Sequence, residues 1–333
     1  MEVDTYLTTN DGFGDFAPKA QATKLQKLQD LPRLKKGKKF IELPDIDEKE
    51  IVVTTENKKC SPSLTFEDSS CIPLKFLHYM AEAYNKQYDD LIAIAENNNF
   101  IEPEFNKKYK LYLLKEFQKR FGKNQQDWIK QHFIEYMEKD YKLFLKDYTF
   151  RPKGPNDTHD WLSQIHIDDV AKQYEVITSN YHYLGCLPAD HIKLSNYQTK
   201  DIDFDKYLEK GIHRFSYVIN NQTSNQSGEH WRSLFFDVKS GLIYFIDSVG
   251  RGPVKNDLDF IEYIKEYLKS KNIKPVFKIN KTPHQKGNSE CGIYSLFFTV
   301  KFVEGEDLDK VNEEEIIDKY MFKLRDYLFS RDS

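Results

Sequence analysis

Between Pro73 and Asp147 apolar residues return every three or four positions. One run reads Leu74, Phe76, Leu77, Met80, Ala81, Tyr84, Tyr88 and Leu91. A second reads Tyr109, Leu111, Leu114, Phe117 and Phe121, and a third Trp128, Phe133, Tyr136, Met137, Tyr141 and Phe144. This spacing gathers the apolar side chains on one side of a 3.6-residue helix, so it predicts a helical module with an aromatic packing face. Asn98–Asn99 and Gly122–Lys123–Asn124 read as the turns between its helices. No cluster of reactive side chains lies within it.

The pattern changes after Arg151–Asp160, a stretch with two prolines and a glycine that reads as a domain boundary. Asp168–Thr178 reads as a helix. Strand-like runs follow at Phe215–Ile219, His230–Phe236, Leu242–Ile246 and Val276–Ile279, and helices fit Leu258–Lys269, Gly292–Phe302 and Glu313–Leu328. Hairpin-connected strands with helices before and after them predict an α+β fold rather than a doubly wound parallel sheet. Ahead of both regions, residues 1–73 are polar and charge-segregated. Lys19, Lys24, Lys27, Arg33, Lys35, Lys36, Lys38 and Lys39 face a single Asp30, and a mainly acidic patch follows from Glu42 to Glu50. This reads as a solvated arm. The alternative, a weak nucleic-acid contact through Lys19–Lys39, lacks the interleaved aromatics of a base-stacking surface. The expected division is an arm over 1–73, a helical accessory module over 74–150, and a third domain over 151–333.

Composition narrows the class. Of 333 residues, 39% are hydrophobic, with 24 Phe and 21 Tyr, which is ample material for a core. A net charge of −4 counts against a surface built to coat nucleic acid. No run approaches 18 apolar residues, so no membrane contact is expected. The start, MEVDTYLTTN, lacks the basic and apolar stretches of a signal peptide, and the expected location is intracellular. The four cysteines, Cys60, Cys71, Cys186 and Cys291, form no CxxC pair and no zinc-type spacing. Free thiols and no metal are therefore expected. Neither nucleotide-binding glycine motif occurs, and no cofactor is implied.

Cys291 lies where a polar, glycine-containing loop enters an apolar helix. At a helix N-terminus, unpaired N–H groups and the macrodipole favour a thiolate, and Gly292 would let a substrate carbonyl approach the backbone. An ordinary core cysteine is the competing reading, but the residues just before Cys291 are polar. Gln285, six residues upstream, carries an N–H₂ group that can face an oxyanion together with the Cys291 N–H. His230 and Asp247 lie on consecutive strand runs joined by a turn with Asp237, Ser240 and Gly241. If 237–240 form the loop, Phe236 lies opposite Gly241 and His230 opposite Asp247. Asp247 would then accept the Nδ1–H of His230 and leave Nε2 to act on Cys291. His284 is a rival base without an evident orienting carboxylate.

The ordered set His230-Trp231, Asp247 in FIDSVG, Gln285 and Cys291-Gly292 resembles the clan of adenoviral-type and SUMO-deconjugating cysteine proteases, clan CE. Trp161-Leu162-Ser163 looks like that clan's segment opening the catalytic domain. Tyr183-Leu184-Gly185-Cys186-Leu187-Pro188 is similar to a segment preceding the central sheet in viral members. The resemblance covers about residues 160–305 and implies a mixed central sheet flanked by helices. It also implies Cys291 as nucleophile, His230 as general base and acid, Asp247 as its orienter and Gln285 in the oxyanion hole. Trp231 and Trp161 match tryptophans that shape a narrow channel for Gly-Gly or Ala-Gly before the scissile bond. The Ser-Glu-Cys-Gly wording is most similar to maturation proteases of large DNA viruses, which implies a thiol endopeptidase acting on capsid or core precursors in host cytoplasm and virion. A deconjugase of ubiquitin-like proteins uses the same machinery and stays open. An acetyltransferase of the clan would typically carry Glu at the position of Asp247. A binding protein with a degenerate site is disfavoured because all four positions are intact.

Overall fold

The computed structural model describes residues 34–44, 46, 60–63, 70–96, 100–157, 159–199 and 201–330. Residues 19–33 of the basic stretch, most of the acidic patch and the Asn98–Asn99 turn lie outside them. Stretches within 1–55 and 66–145 form one compact unit, and stretches within 56–65 and 146–333 form another.

In the first unit β1 (Leu34–Lys36) pairs antiparallel with β2 (Lys39–Ile41). The hairpin turns at Gly37, whose φ of 61° suits a residue without Cβ. The helices α1 (Leu74–Asn85), α2 (Pro103–Phe121), α3 (Gln125–Trp128) and α4 (Lys139–Asp147) follow, with β3 (Ile94–Ala95) completing the small sheet against β1. Most of the predicted stripes face the core, with Leu77, Met80, Tyr84, Tyr109, Leu114, Phe117, Trp128 and Phe133 buried, but Tyr88 and Tyr136 are exposed. Lys35 to Lys39, the described part of the basic stretch, thus belong to a hairpin and not to a plain arm.

The second unit holds a five-stranded sheet. Helix α5 (Gln164–Gln173) begins earlier than the apolar pattern suggested, because Ser163 caps it: the Ser163 Oγ accepts from His166 N, and Ser163 N donates to His166 Nδ1. A 3-10 turn over Tyr174–Ile177 ends this region. Then come β4 (Tyr181–Leu187), α6 (Phe204–Leu208), β5 (Arg214–Asn220), β6 (Trp231–Asp237), β7 (Leu242–Ile246), α7 (Lys255–Ser270), β8 (Val276–Ile279), α8 (Cys291–Val303), α9 (Leu308–Val311) and α10 (Asp318–Leu328). The order is β4-β5-β6-β7-β8, with the outer pairs parallel and the inner pairs antiparallel. The mixed sheet makes the fold α+β, as expected. Two expectations change. Tyr183–Leu187 does not precede the sheet; it lies in its edge strand, where the φ of 109° at Gly185 coincides with a break in the β4–β5 register. The helix expected over Glu313–Leu328 starts only at Asp318.

Both faces of the sheet are apolar, with the strict alternation of strand geometry. Val218, Phe235, Tyr244 and Ile246 pack with α5, α8 and α10 on one side. Phe215, Tyr217, Ile219, Leu234, Phe236, Ile243 and Phe245 pack with α6 and α7 on the other. The expected linker is not loose. Buried Arg151 donates to Cys60 O and Asp326 O and lies over the Tyr327 ring. Gln173, also buried, donates to Asp147 O and Phe150 O and accepts from Ser61 Oγ. Residues 60–63 and 146–150 therefore complete the second unit, so a boundary at 150/151 would strip partners from a buried amide.

The β6–β7 register also differs. Asp237 pairs with Leu242 and Leu234 with Phe245, so the four turn residues are 238–241. Gly241 belongs to the turn because its φ is 85°, its N–H donates to Asp237 O, and a Cβ there would meet Lys274 O at 2.5 Å. The shift moves both strands by one residue and keeps the faces, but it takes His230 out of direct opposition to Asp247.

Candidate active site

Because β6 and β7 run antiparallel, the residue before β6 and the residue after β7 emerge at the same end of the sheet. His230 and Asp247 hold those two positions. They meet across the diagonal, His230 Nε2 lying 2.7 Å from Asp247 Oδ1. Both approaches are braced. Asn221 Oδ1 accepts the backbone N–H of Glu229 and of His230. Asn280 accepts Asp247 N–H and donates to Asp247 O, while Val249 N–H donates to the same Oδ1 that faces the ring.

The ring is turned the opposite way from the expectation. Nε2 is spent on Asp247, so the hydrogen bond to Cys291 falls to Nδ1. Chain direction explains the reversal: Asp247 reaches the ring from the next strand at its far nitrogen, while the nitrogen nearer the backbone faces the helix. Burial by itself would lower the pKa of His230. Its hydrogen bonds to Asp247 and Cys291, and their negative charge, outweigh burial and raise it to about 9.

Cys291 opens α8, as the loop-to-helix pattern predicts. The helix is apolar nearly all round, with Ile293, Tyr294, Leu296 and Phe298 buried, so it can only sit inside the unit. Gly292 has a packing reason: a Cβ there would lie 2.9 Å from Leu162 Cβ. Leu162 in turn accepts Trp231 Nε1–H through its carbonyl at 2.8 Å. Trp161, next to it, is 50% exposed and Trp231 is half-buried. Cys291 itself is only 3% exposed. Of the polar residues just before it, Ser289 and Glu290 are buried, while Lys286 and Asn288 are exposed. Glu290 and Arg325, 1% and 3% exposed, pair at 3.0 Å, and Arg325 also donates to Ser289 O and Asp160 O. Arg325 thus ties the turn that presents Cys291 to the segment that leads into Trp161.

Gln285 is buried beside Ser248. Its Oε1 accepts Ser248 Oγ–H at 2.7 Å, and its Nε2 donates to Gly287 O at 2.9 Å. His284, the rival base, is fully engaged elsewhere. Its Nδ1 accepts Ile316 N–H, so Nε2 carries the proton and donates to Asn312 Oδ1. Burial lowers its pKa and keeps it neutral. Cys60 and Cys71 are disulfide-bonded, which corrects the expectation of four free thiols; Cys186 and Cys291 are free. Burial pushes the Cys186 thiol up, whereas Cys291 has a histidine partner.

Asn221, Ser248, Asn280, Glu290 and Arg325 were not read from the sequence as parts of this site. Arg325 left one signal: it interrupts the buried stripe Met321–Arg325–Leu328 of an amphipathic helix. The asparagines left none, because brace residues have no spacing rule. Among the described residues no group of three or more His, Cys, Asp or Glu is placed to hold a metal, and no helix is long and apolar enough to cross a membrane.

Comparison with known proteins gives concordant results. The model of the Ulp1 protease family, C-terminal catalytic domain, matches residues 217–332. A relative from Acanthamoeba polyphaga mimivirus, named as a thiol protease, is 32% identical over 253 residues, covering 74% of this chain and 84% of the relative. A protein of African swine fever virus, named as a SUMO-1 cysteine protease, is 27% identical over 127 residues, 37% of this chain and 46% of that protein. The crystal structure of the African swine fever virus protease superposes with a TM-score of 0.55 at 19% identity, over 85% of this chain and 99% of that one, a likeness of fold.

Proposed function

This chain belongs to the Ulp1 family of cysteine proteases, in clan CE, and from that premise we propose that it is an endopeptidase with Cys291 as nucleophile. The observation that carries the reading is the 2.7 Å contact of His230 with Asp247 beside a cysteine at the start of a buried helix. The Cys291 sulfur, as thiolate, attacks the carbonyl carbon before the scissile bond. Negative charge builds on the carbonyl oxygen, where the free N–H groups of the first turn of α8 and the Gln285 amide receive it. The His230 imidazolium gives its Nδ1 proton to the leaving amine as the C–N bond breaks. Water, losing a proton to the same nitrogen, then attacks the thioester and releases Cys291. Asp247 holds the ring orientation and the charge of the imidazolium throughout.

Small residues before the scissile bond suit the confined nucleophile: Cys291 is nearly covered, and Trp231 is anchored to Leu162 beside it. Trp161 and Trp231 are the proposed channel walls. From the viral source of the two relatives we propose maturation of viral capsid or core precursors, in host cytoplasm and virion, as the role. The name of the African swine fever virus relative favours a second reading, removal of a ubiquitin-like protein after Gly-Gly. Incubation with a peptide library carrying Gly-Gly-X and Ala-Gly-X sites, beside a panel of ubiquitin-like fusions, separates them by mass spectrometry. Cleavage of the peptides supports the endopeptidase; cleavage of folded fusions alone supports the deconjugase; cleavage of neither defeats both.

The charge state of His230 sets a pH limit. An unperturbed histidine loses its proton near 6.5, and His230 holds it to about 9. Its folded value lies above the unfolded one, so the stabilisation is complete below about pH 6.5 and is lost as pH rises through about 9. The proton needed by the leaving amine disappears over the same range. For a short peptide, kcat/KM is expected to fall above about pH 9. Asp247→Ala, which removes one of the partners raising the ring, should move the fall to lower pH in a pH–rate profile. An unmoved limb would separate Asp247 from the charge on the ring.

A further inference from the structure

Gln285 can serve an oxyanion only if its carboxamide is turned the right way. The group is nearly symmetric in shape, and rotation by 180° would exchange donor for acceptor. The Gly287 carbonyl, which can only accept, decides the matter, and the Ser248 hydroxyl holds the oxygen so placed. Ser248 Oγ–H donates to Oε1 at 2.7 Å, and Gly287 O accepts one Nε2–H at 2.9 Å. In the rotated state Oε1 would face the carbonyl oxygen of Gly287, acceptor against acceptor. The second Nε2–H has no protein acceptor among the described residues.

Ser248 does more than touch the side chain. Its carbonyl accepts the backbone N–H of both His284 and Gln285 at 2.8 Å, so it fixes the segment as well as the amide. It is 3% exposed, and it directly follows Asp247, whose own backbone is tied to Asn280. The orienter of the histidine and the anchor of the glutamine are therefore adjacent residues at the end of β7. One rigid turn sets the positions of both.

We propose that Ser248 is a positioning residue of the oxyanion hole: its hydroxyl locks the Gln285 carboxamide with an N–H directed at the developing negative charge. The proposal rests on the reading of Gln285 as oxyanion donor. It acts through Gln285 alone, so its effect belongs in the transition state and not in substrate binding.

The test measures kcat and KM of the full chain on a fluorogenic peptide ending in Gly-Gly, together with thermal melting. Ser248→Ala should lower kcat roughly tenfold, the scale of one neutral hydrogen bond, short of the ~10²–10³ expected of the donor itself. KM should stay near that of the unaltered protein, and the melting temperature should fall by only a few degrees, the cost of one unmet buried acceptor. Ser248→Thr, which keeps a hydroxyl, should recover most of the rate. In a Gln285→Ala background, adding Ser248→Ala should cost nothing further. If the two losses multiply, or if Ser248→Ala alone is fully active while Gln285→Ala is impaired, the positioning role is overturned. If Gln285→Ala itself is fully active, the oxyanion reading falls, and the proposal with it. Should Ser248→Ala not fold, Ser248→Cys takes its place: it keeps the size, weakens the donor, and should show an intermediate kcat.

Discussion

Cys291→Ala is expected to lose peptide cleavage by at least ~10⁴-fold while keeping the fold. No other residue can replace it. Cys186 is the remaining free thiol among the described residues, and it lies buried in β4 with its proton held more firmly than usual. His284 cannot supply a base for a bystander nucleophile, since both of its ring nitrogens are engaged. The structural cost of the substitution should be small, roughly 1 kcal/mol for one buried sulfur. The check is twofold. Circular dichroism should show a melt within a few degrees of the unaltered protein, and intact-mass spectrometry with an electrophilic Gly-Gly probe should show the adduct on the wild-type chain only. Retained cleavage in the variant would remove Cys291 from the mechanism.

The largest loss of stability is expected from Arg325→Met. The guanidinium and the Glu290 carboxylate are almost wholly buried, and truncating one side of such a pair leaves an uncompensated charge. The expected cost is about 3–5 kcal/mol, which for a unit of this size corresponds to a fall in melting temperature of roughly 10 °C. Activity should fall as well. Arg325 holds Ser289 O and Asp160 O, and these flank the turn carrying Cys291 and the segment carrying Trp161. Adding Glu290→Gln should return part of the stability, because it removes the stranded charge. Thermal melting of the single and double variants decides this. A single variant that melts with the unaltered protein would mean that the pair contributes nothing to holding the turn.

These two residues also show where sequence reading succeeds and where it stops. The place of Cys291 at a helix start was legible because it depends on a local feature, the meeting of a polar loop with an apolar helix, and periodicity reveals helix starts. The strands β5 to β8 were legible for the same reason: alternation is written into consecutive residues. Arg325 was not legible as a partner of the nucleophile turn, since 34 positions separate it from Cys291 and no local pattern reports a contact made by folding. The edge strand β4 was missed as a strand for a related reason. It carries Gly185 at a register break and takes its place in the sheet only by pairing with β5.

By itself the sequence determined the classes of element and the α+β character of the second unit, and it nominated the four residues proposed for the site. Each of these depends on short-range periodicity or on chemistry peculiar to a residue type. Only the tertiary structure decided how those residues meet. The turn at Gly241, set by a positive φ and a close approach to Lys274, placed β6 and β7 two residues away from the expected pairing sum and made the His230–Asp247 contact diagonal. The same packing turned Nδ1 toward Cys291, buried Glu290 against Arg325, and oriented Gln285 through Ser248. Ring orientation, amide orientation and buried pairing depend on what lies across space, and one-dimensional spacing carries no record of that.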